Sequence, residues 1–479
     1  MENKIANAHE WRNPARFLVF LITVLSIVSC RESNDPQPGI INQDNQYVNT
    51  WIQNNMEYWY LWNETLPKNK DRNQDPDDYF ESLLNKDDRF SWIQDNYQEL
   101  LNSLNGINKE AGYEFVLYKE SPTSDKVIAQ ILYIKPNSPA ENAGLKRGDV
   151  IRQVNDQTMT TSNYRDILDQ LKESHTLAAT PLLIGEDKFG PEQTFSLSTV
   201  VYAENPNHYH TVIEVDDHKI GYYVYTFFSP GNAQAFDNQM DDIFQGFKSA
   251  GITDLILDLR FNSGGSETSA KNLASLVASG VSSSSVFFKR QYNKSVTDDI
   301  LGDPGLGQAF LTSKFDEKTA NVGAMLNSNR VYVLTSSRTA SASELIINSL
   351  RPYMEVFLIG DVTYGKNVGS ISIYETSDSR NKWGMQPIIV KVANSVGAAD
   401  YADGFAPDIL NKDNSLFLYP IGDERENLLA DAIAHITGTF SGGRIGAKDS
   451  GREIIRHSLD DNSRSFQLLM DQTQLPMGN

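Results

Sequence analysis

Between residues 201 and 440, runs typical of β-strands alternate along the chain with runs typical of α-helices. Such alternation predicts an α/β layer fold, in which helices cover a central sheet. No other pattern in the chain restricts the fold as strongly. We predict strands at 219–228, 255–259, 331–334 and 356–359, and helices at 234–249, 266–278 and 343–350.

The rest of the chain divides into regions of different pattern. A chain of 479 residues is too long for one ordinary core, so two or three domains are expected. From about 46 to 104, apolar and aromatic residues at three- and four-residue spacings predict a small helical cap. From about 105 to 200 the runs are β-rich, and the α/β region then extends from 201 to 440. Residues 441–479 are polar and are expected to form a peripheral tail.

The first 30 residues have the pattern of a secretory signal. Lys4, Arg12 and Arg16 precede an apolar run at 17–28, which is short for a membrane-spanning helix and suits a secretory signal. The run ends in the sequence IVSC, whose last residue, Cys30, is the only cysteine of the chain. No disulfide can therefore form within the chain.

The IVSC sequence resembles a bacterial lipobox, in which the cysteine is lipidated and becomes the mature N-terminus. The resemblance implies a signal peptide at 1–29, a polar tether at 30–45 and a membrane anchor at Cys30. We accordingly expect an extracytoplasmic lipoprotein of the cell envelope, on the periplasmic side or at the outer membrane. An ordinary signal peptide with a chance cysteine is the alternative.

Charge and composition exclude several classes of protein. A net charge of −20 argues against nucleic acid as a partner, since a phosphate backbone would be repelled. We find neither a metal-binding Cys or His–Glu spacing nor a phosphate-cradling glycine motif. No metal or organic cofactor is therefore expected.

Residues 138–151, SPAENAGLKRGDVI, resemble part of a PDZ domain. Gly144 and Gly148 stand where a short helix must stop and a turn must reverse. PDZ domains add an extended peptide to a sheet edge and often capture its terminal carboxylate in a backbone loop. The resemblance implies a second helix at 163–172 and a carboxylate loop formed by Gly112, Tyr113, Glu114 and Phe115. A rigid spacer without a ligand is the alternative.

Residues 338–344, with the sequence Arg-Thr-Ala-Ser-Ala-Ser-Glu, lie between a predicted strand and a predicted helix. The start of a helix offers free N–H groups and a dipole that favours a developing anion. A nucleophilic serine and its oxyanion need this environment. Simple helix capping by Thr339 or Ser343, helped by Glu344, explains the string equally well when it is taken alone.

A second string, GDVTYGK at residues 360–366, follows another apolar strand. Together the two strings resemble the carboxyl-terminal processing (tail-specific) proteases, whose nucleophile lies in a similar Ala-Ser-Ala-Ser-Glu string. The base in that family is the lysine of a Gly-Lys pair at the same separation. The resemblance implies Ser341 as nucleophile and Lys366 as general base. A lysine acts as base only when neutral, so its pKa must fall by about 3 units, which burial can achieve.

The third string is DLRFNSGG at residues 258–265, which resembles the family's Asp-Leu-Arg-x-Asn-x-Gly-Gly segment. The resemblance implies an oxyanion hole built from the N–H of Ala342 and that of a glycine. Gly264 and Gly265 are both candidates. A plain turn between strand and helix is the alternative reading of this string.

One position departs from the family pattern. The family usually has a glutamine four residues after the lysine, and this chain has Ser370 there. A hydroxyl could still support Lys366, directly or through water. The alternative is that Ser370 only starts the next strand and faces solvent.

The resemblance covers about 105 to 410 and implies a helical cap, a PDZ-like domain and a ClpP/crotonase-like α/β protease domain. We therefore interpret the chain as a lipid-anchored serine endopeptidase that acts on proteins or peptides through Ser341, Lys366 and Ser370. One alternative is a catalytically silent peptide-binding scaffold. Another is a serine esterase or amidase, although no Ser-His-Asp pattern supports it.

Overall fold

The computed structural model describes residues 43–415, 417–440, 453–461, 467–471 and 475. The predicted signal peptide, Cys30 and most of the tether lie outside the described residues. The last three residues of the expected tether belong instead to the first helix, Gln43–Trp59. Among the described residues, no helix combines the length and the apolar character needed to cross a membrane.

The N-terminal region is helical, as the sequence predicts. Its helices begin at good caps, since Asp75 accepts a hydrogen bond from the N–H of Asp77 at 3.0 Å. Its one strand, Trp92–Gln94, pairs antiparallel with Gly384–Gln386 of the α/β region. This pairing attaches the cap to the α/β region. The helical elements are Gln43–Trp59, Asn63–Thr65, Pro76–Glu81 and Tyr97–Leu104.

The next region is an antiparallel sheet with two short helices. Helix Pro139–Ala143 begins at Ser138, which caps the N–H of Glu141, and it stops at Gly144 with φ +87°. Helix Tyr164–Asp169 continues as a 3₁₀ turn, Gln170–Lys172. The strands in order across the sheet are Gln193–Leu197, His175–Thr180, Val150–Val154, Val127–Ile134, Tyr113–Lys119 and Ile454–His457, with Gln157–Thr158 beside Val150–Val154.

The α/β region contains a six-stranded sheet in which the strands from His218–Tyr225 onward are parallel. Alternate residues of its strands face opposite cores: Leu255 and Leu257 pack in one cluster, and Ile256 packs in the other. The strand order is Asn207–Val215, His218–Tyr225, Asp254–Asp258, Arg330–Thr335, Glu355–Gly360 and Ile409–Leu410. The principal helices are Ala235–Ala250, Glu267–Val277, Ala342–Leu350 and Asn427–Ile436.

A second six-stranded sheet lies beside the first. Its order is Gly265–Ser266, Leu468–Leu469, Val368–Ser370, Ile388–Ala393, Val286–Tyr292 and Thr312–Lys314. Three smaller strand pairs are Ile107–Glu110 with Val200–Ala203, Leu182–Leu183 with Lys188–Phe189, and Ile373–Tyr374 with Gly384–Gln386. Two short helices are Lys294–Gly302 and Gly307–Phe310.

Two expectations from the sequence are wrong. Residues 441–479 are not a peripheral tail in their described parts, since Ile454–His457 extends the PDZ-like sheet and Leu468 is fully buried. Tyr113, Glu114 and Phe115 do not form a loop, because they are the first residues of strand Tyr113–Lys119. Hydrogen bonding to the neighbouring strand outcompetes the loop conformation there, and only Gly112, with φ +87°, lies before the strand.

A buried ionic cluster fixes the PDZ-like sheet against the α/β region. Arg147, in the turn that the sequence singled out, donates to Glu426 at 3.0 Å. Arg260 donates to the same carboxylate and also pairs with Asp258 and Asp413. The two guanidinium groups lower the pKa of Glu426 to about 2, against the effect of burial. This shared carboxylate therefore holds the PDZ-like sheet and the α/β region together.

Candidate active site

Ser341 lies at the N-terminus of helix Ala342–Leu350, directly after the turn that follows strand Arg330–Thr335. Its backbone has φ +60° and ψ −109°, a region that a residue other than glycine occupies at a cost. Its Oγ is buried and has no hydrogen-bond partner in the part of the chain that the structure describes. Ser341 is the N-cap residue, and Glu344 reaches back to its N–H. The strained backbone and the buried, unpaired hydroxyl are in addition typical of a functional site.

The second serine of the string behaves differently. Ser343 Oγ donates a hydrogen bond of 3.0 Å to the carbonyl oxygen of Asn262, so its hydroxyl is already committed to the fold. Ser343 therefore joins the helix to the glycine string. The structure thus separates two residues that the spacing alone could not rank.

Lys366 is completely buried. Burial lowers its pKa from 10.5 to about 7, although Asp88 and Glu344 nearby act in the opposite direction. The ring of Phe90 lies 4.7 Å from its Nζ. Asp88 and Phe90 belong to the helical cap, so this cap forms part of the wall around the lysine. Sequence reasoning missed both residues.

The carboxylate of Glu344 holds the serine and the lysine loops together. Its Oε2 accepts the N–H of Ser341 and the N–H of Lys366, each at 2.8 Å. Its Oε1 accepts the N–H of Gly365 at 2.7 Å and the hydroxyl of Thr363 at 2.6 Å. Burial raises the pKa of Glu344, and these hydrogen bonds oppose that rise. The sequence predicted only a helix cap for this residue.

The two candidate glycines also differ. The N–H of Gly264 donates to Asn262 Oδ1 at 2.9 Å, while the N–H of Gly265 donates to the carbonyl oxygen of Gln467 at 2.5 Å. A side chain on Gly264 would start 2.8 Å from Ser341 Cβ, which shows how closely the string approaches the serine. Ala342 begins its helix, so its N–H has no partner one turn back.

Ser370 is fully buried at the end of strand Val368–Ser370 and does not face solvent. Its Oγ donates to Gln467 Oε1 at 3.3 Å, and Lys366 Nζ donates to the same oxygen at 3.5 Å. An amide oxygen thus lies beside the lysine, but it comes from a distant part of the chain. Sequence reasoning missed Gln467; the apolar run around it, FQLLM, was the available signal.

The predicted peptide-binding residues line a cavity of about 610 Å³ next to the PDZ-like sheet. Tyr113, Glu114 and Phe115 form one wall, and Arg165 and Leu168 of helix Tyr164–Asp169 contribute to the other. Gly112 is packed against Ser138, because a Cβ there would lie 2.2 Å from the serine side chain. A sheet edge opposite a helix is the geometry that accepts an extended peptide.

Three family models match the chain. Residues 219–410 match the model of peptidase family S41, residues 47–92 match the N-terminal domain of S41 peptidases, and residues 130–178 match a PDZ domain. These regions correspond to the α/β region, the helical cap and the PDZ-like sheet. The matches thus identify a peptidase family S41 domain at 219–410, preceded by an S41 N-terminal domain and a PDZ domain.

Individual proteins support the same assignment. The chain is 24% identical over 385 residues to the chloroplastic carboxyl-terminal-processing peptidase 2 of Arabidopsis thaliana, covering 75% of this chain and 67% of that protein. It is 25% identical over 243 residues to the carboxy-terminal processing protease CtpA of Bacillus subtilis (strain 168), covering 50% of this chain and 44% of that one.

A solved structure shares the fold. It belongs to a protein of Bacteroides fragilis NCTC 9343 assigned as an S41 protease, with a TM-score of 0.67 and 25% sequence identity. The match covers 81% of this chain and 97% of that one. The arrangement of cap, PDZ domain and α/β region is therefore an S41 arrangement.

The buried Lys366 predicts a pH-dependent gain in stability for Lys366→Met. The unfolded lysine binds its proton below about pH 10.5, but the folded one binds it only below about pH 7. Burying the charged lysine therefore lowers the free energy of unfolding by its full amount below pH 7. This loss disappears as the pH rises towards 10.5. Near pH 6 the free energy of unfolding of Lys366→Met should exceed that of wild type by up to ~4 kcal/mol, and this difference should be smaller near pH 9.

Thermal unfolding at the two pH values measures this difference. Lys68→Met, at an exposed lysine, is the matched control and should leave the melting temperature almost unchanged. A loss of stability for Lys366→Met at both pH values would contradict the assignment of a costly buried lysine.

Proposed function

We propose that the chain is a serine endopeptidase in which Ser341 is the nucleophile and Lys366 is the general base. The observation that carries the proposal is the pair of buried groups tied to one carboxylate. Glu344 accepts hydrogen bonds from the backbones of both residues, so the unpaired hydroxyl and the lysine with a pKa of about 7 belong to one rigid unit. A base with a pKa near the working pH is suited to proton transfer.

The chemistry follows from these groups. Ser341 Oγ attacks the carbonyl carbon of a peptide bond, and its proton passes to Lys366 Nζ. The backbone N–H groups of Gly265 and Ala342 hold the developing oxyanion. Gly264 donates to Asn262 within its own turn, whereas Gly265 donates to Gln467, a residue far along the chain that a substrate can displace. Lys366 returns the proton to the leaving amine, and water then hydrolyses the acyl-enzyme. None of these steps needs a metal or an organic cofactor.

Replacing Ser341 should abolish proteolysis without unfolding the protein. Ser341→Ala removes the nucleophile and should reduce cleavage of a denatured protein at least ~10³-fold. Its stability should change by ~1 kcal/mol or less, because the hydroxyl makes no hydrogen bond in the described structure. Ser343→Ala is the matched control and should keep appreciable activity. Cleavage by Ser341→Ala at the wild-type rate would favour a silent scaffold with a contaminating protease.

Activity should rise with pH through about 7. Lys366 must be neutral to accept a proton, and its pKa is about 7, so below that value the rate should increase roughly tenfold per pH unit. Single-turnover rates with a peptide ester or amide measure the chemical step directly. Lys366→Arg should be inactive at every pH, since arginine keeps its proton. A flat profile from about pH 5 to 9 would exclude a lysine base.

The PDZ domain is proposed to bind the substrate as an added strand. The cavity beside helix Tyr164–Asp169 provides a pocket for side chains. Strand Tyr113–Lys119 provides the hydrogen-bonding edge once its neighbour in this structure, Ile454–His457, is displaced. Substrates are accordingly extended segments of proteins or peptides.

We also propose that the protein is an extracytoplasmic lipoprotein anchored through Cys30. The signal-like run and the IVSC sequence support this proposal. The mature protein should fractionate with membranes, and Cys30→Ser should release it or block its processing. Mass spectrometry of the N-terminal peptide is the decisive measurement: a peptide without lipid mass would refute the anchor.

A further inference from the structure

The last part of the chain contacts both surfaces at which a peptide would bind. We call residues 453–461 and 467–471 the C-terminal segment, meaning its two described stretches. The first stretch lies on the PDZ domain, and the second lies between the glycine string and the lysine loop. These positions follow from strand pairing, which is the same interaction that an extended substrate would use.

On the PDZ domain the segment forms an added strand. Ile454–His457 pairs antiparallel with Tyr113–Lys119, with His457 opposite Val116. Ser458 Oγ then donates to Glu114 Oε2 at 2.5 Å and accepts the N–H of Phe115 at 2.8 Å. Two of the residues predicted to bind a peptide, Glu114 and Phe115, are therefore hydrogen-bonded to the C-terminal segment of the same chain.

At the protease site the segment lies beside the nucleophile. Leu468–Leu469 pairs parallel with Gly265–Ser266 on one side, and Leu469 pairs with Ser370 on the other. The carbonyl oxygen of Gln467 accepts the N–H of Gly265, and the same oxygen lies 2.3 Å from where a Cβ on Gly264 would be. That carbonyl thus occupies the N–H of Gly265, one of the two donors proposed to hold the oxyanion.

The same residue also engages the base. Lys366 Nζ donates to Gln467 Oε1, while Ser341 Oγ has no partner among the described residues. The serine and the lysine are therefore not hydrogen-bonded to each other in this state. A segment that fills the oxyanion position and binds the base blocks both the entry of a substrate and the chemistry.

Apolar side chains hold the segment in place. Leu468 is fully buried and Met470 is 6% exposed, and both belong to the main core cluster of the α/β region. Met470 packs over Gly369, where even a Cβ would lie 2.7 Å from its sulfur. The site therefore accepts an extended strand with aliphatic side chains immediately after the residue whose carbonyl faces Gly265.

We propose that the C-terminal segment is an intramolecular ligand of the protease site and inhibits it until a substrate or another extended, aliphatic peptide displaces it. The proposal rests on the proposed function for its catalytic consequence, but binding of the segment can be measured without activity. It also names the ligand class of the site: a strand of the type Gln-Leu-Leu-Met.

Leu468→Asp in the full-length protein tests the proposal. A carboxylate cannot remain in the apolar pocket, so the segment should leave the site. The specificity constant kcat/KM for a fluorescent denatured protein should rise by about tenfold or more, since a larger fraction of molecules is open. Gln467→Ala loses the side-chain contacts with Lys366 and Ser370 but keeps the strand pairing, so it should show a smaller rise. Val396→Asp, at a residue that is 77% exposed, is the matched control and should behave as wild type.

A synthetic peptide covering residues 464–471, RSFQLLMD, supplies the second arm. It should inhibit Leu468→Asp competitively, and at a lower concentration than wild type, in which the tethered segment competes. A scrambled peptide of the same composition should have no effect. Unchanged or reduced kcat/KM in a folded Leu468→Asp protein would overturn the proposal. So would a fall in kcat for Gln467→Ala, which would make Gln467 a positioning residue of the reaction.

Binding distinguishes this inference from the proposed function. Fluorescence anisotropy of the labelled peptide with the double variant Ser341→Ala/Leu468→Asp needs no catalysis. Binding by a protein that cleaves nothing would refute the function and keep the inference. An active protein whose open variant ignores the peptide would refute the inference and keep the function. If Leu468→Asp does not fold, Gln467→Ala and the peptide titration of wild type decide in the same way.

Discussion

The buried carboxylate of Glu344 is the interaction on which the site depends. It accepts hydrogen bonds from the backbone of Ser341 and from the loop that carries Lys366, and both loops are irregular and buried. Backbone N–H groups in such loops need partners, and a single ion with several lone pairs supplies them. The carboxylate accepts from backbone N–H groups, so it fixes the two loops without occupying the hydroxyl of Ser341 or the amine of Lys366.

The lowered pKa of Lys366 depends on a second constraint, which is the exclusion of water from its side chain. Its pKa falls because it is buried on every side, and one side is closed by Phe90 from the helical cap. The cap is tied to the α/β region by the strand pair Trp92–Gln94 and Gly384–Gln386. The helical cap therefore helps to create the low-dielectric environment that lets the lysine lose its proton near neutral pH.

How much the sequence could predict depended on whether the signal was local. Alternating runs located four of the parallel strands and three of the helices to within about three residues, but the short strand Ile409–Leu410 and helix Asn427–Ile436 were not predicted. Gly144 and Gly148 marked a turn through their need for positive φ. The strings around Ser341 and Lys366 identified the candidate dyad because they resemble a known family. Gln467 and Phe90 were missed because their roles depend on contacts across more than a hundred residues, which no local pattern encodes.

The C-terminal segment connects these observations. A tethered strand acts at a high effective concentration, so a few backbone hydrogen bonds and two buried side chains suffice to keep a site closed. The segment occupies the PDZ edge and the protease cleft in series, and Arg147 and Arg260 fix these two surfaces against each other through Glu426. An incoming peptide that pairs with Tyr113–Lys119 competes with Ile454–His457 and removes part of what holds the segment. Binding at the PDZ domain and access to Ser341 are in this way coupled through one strand.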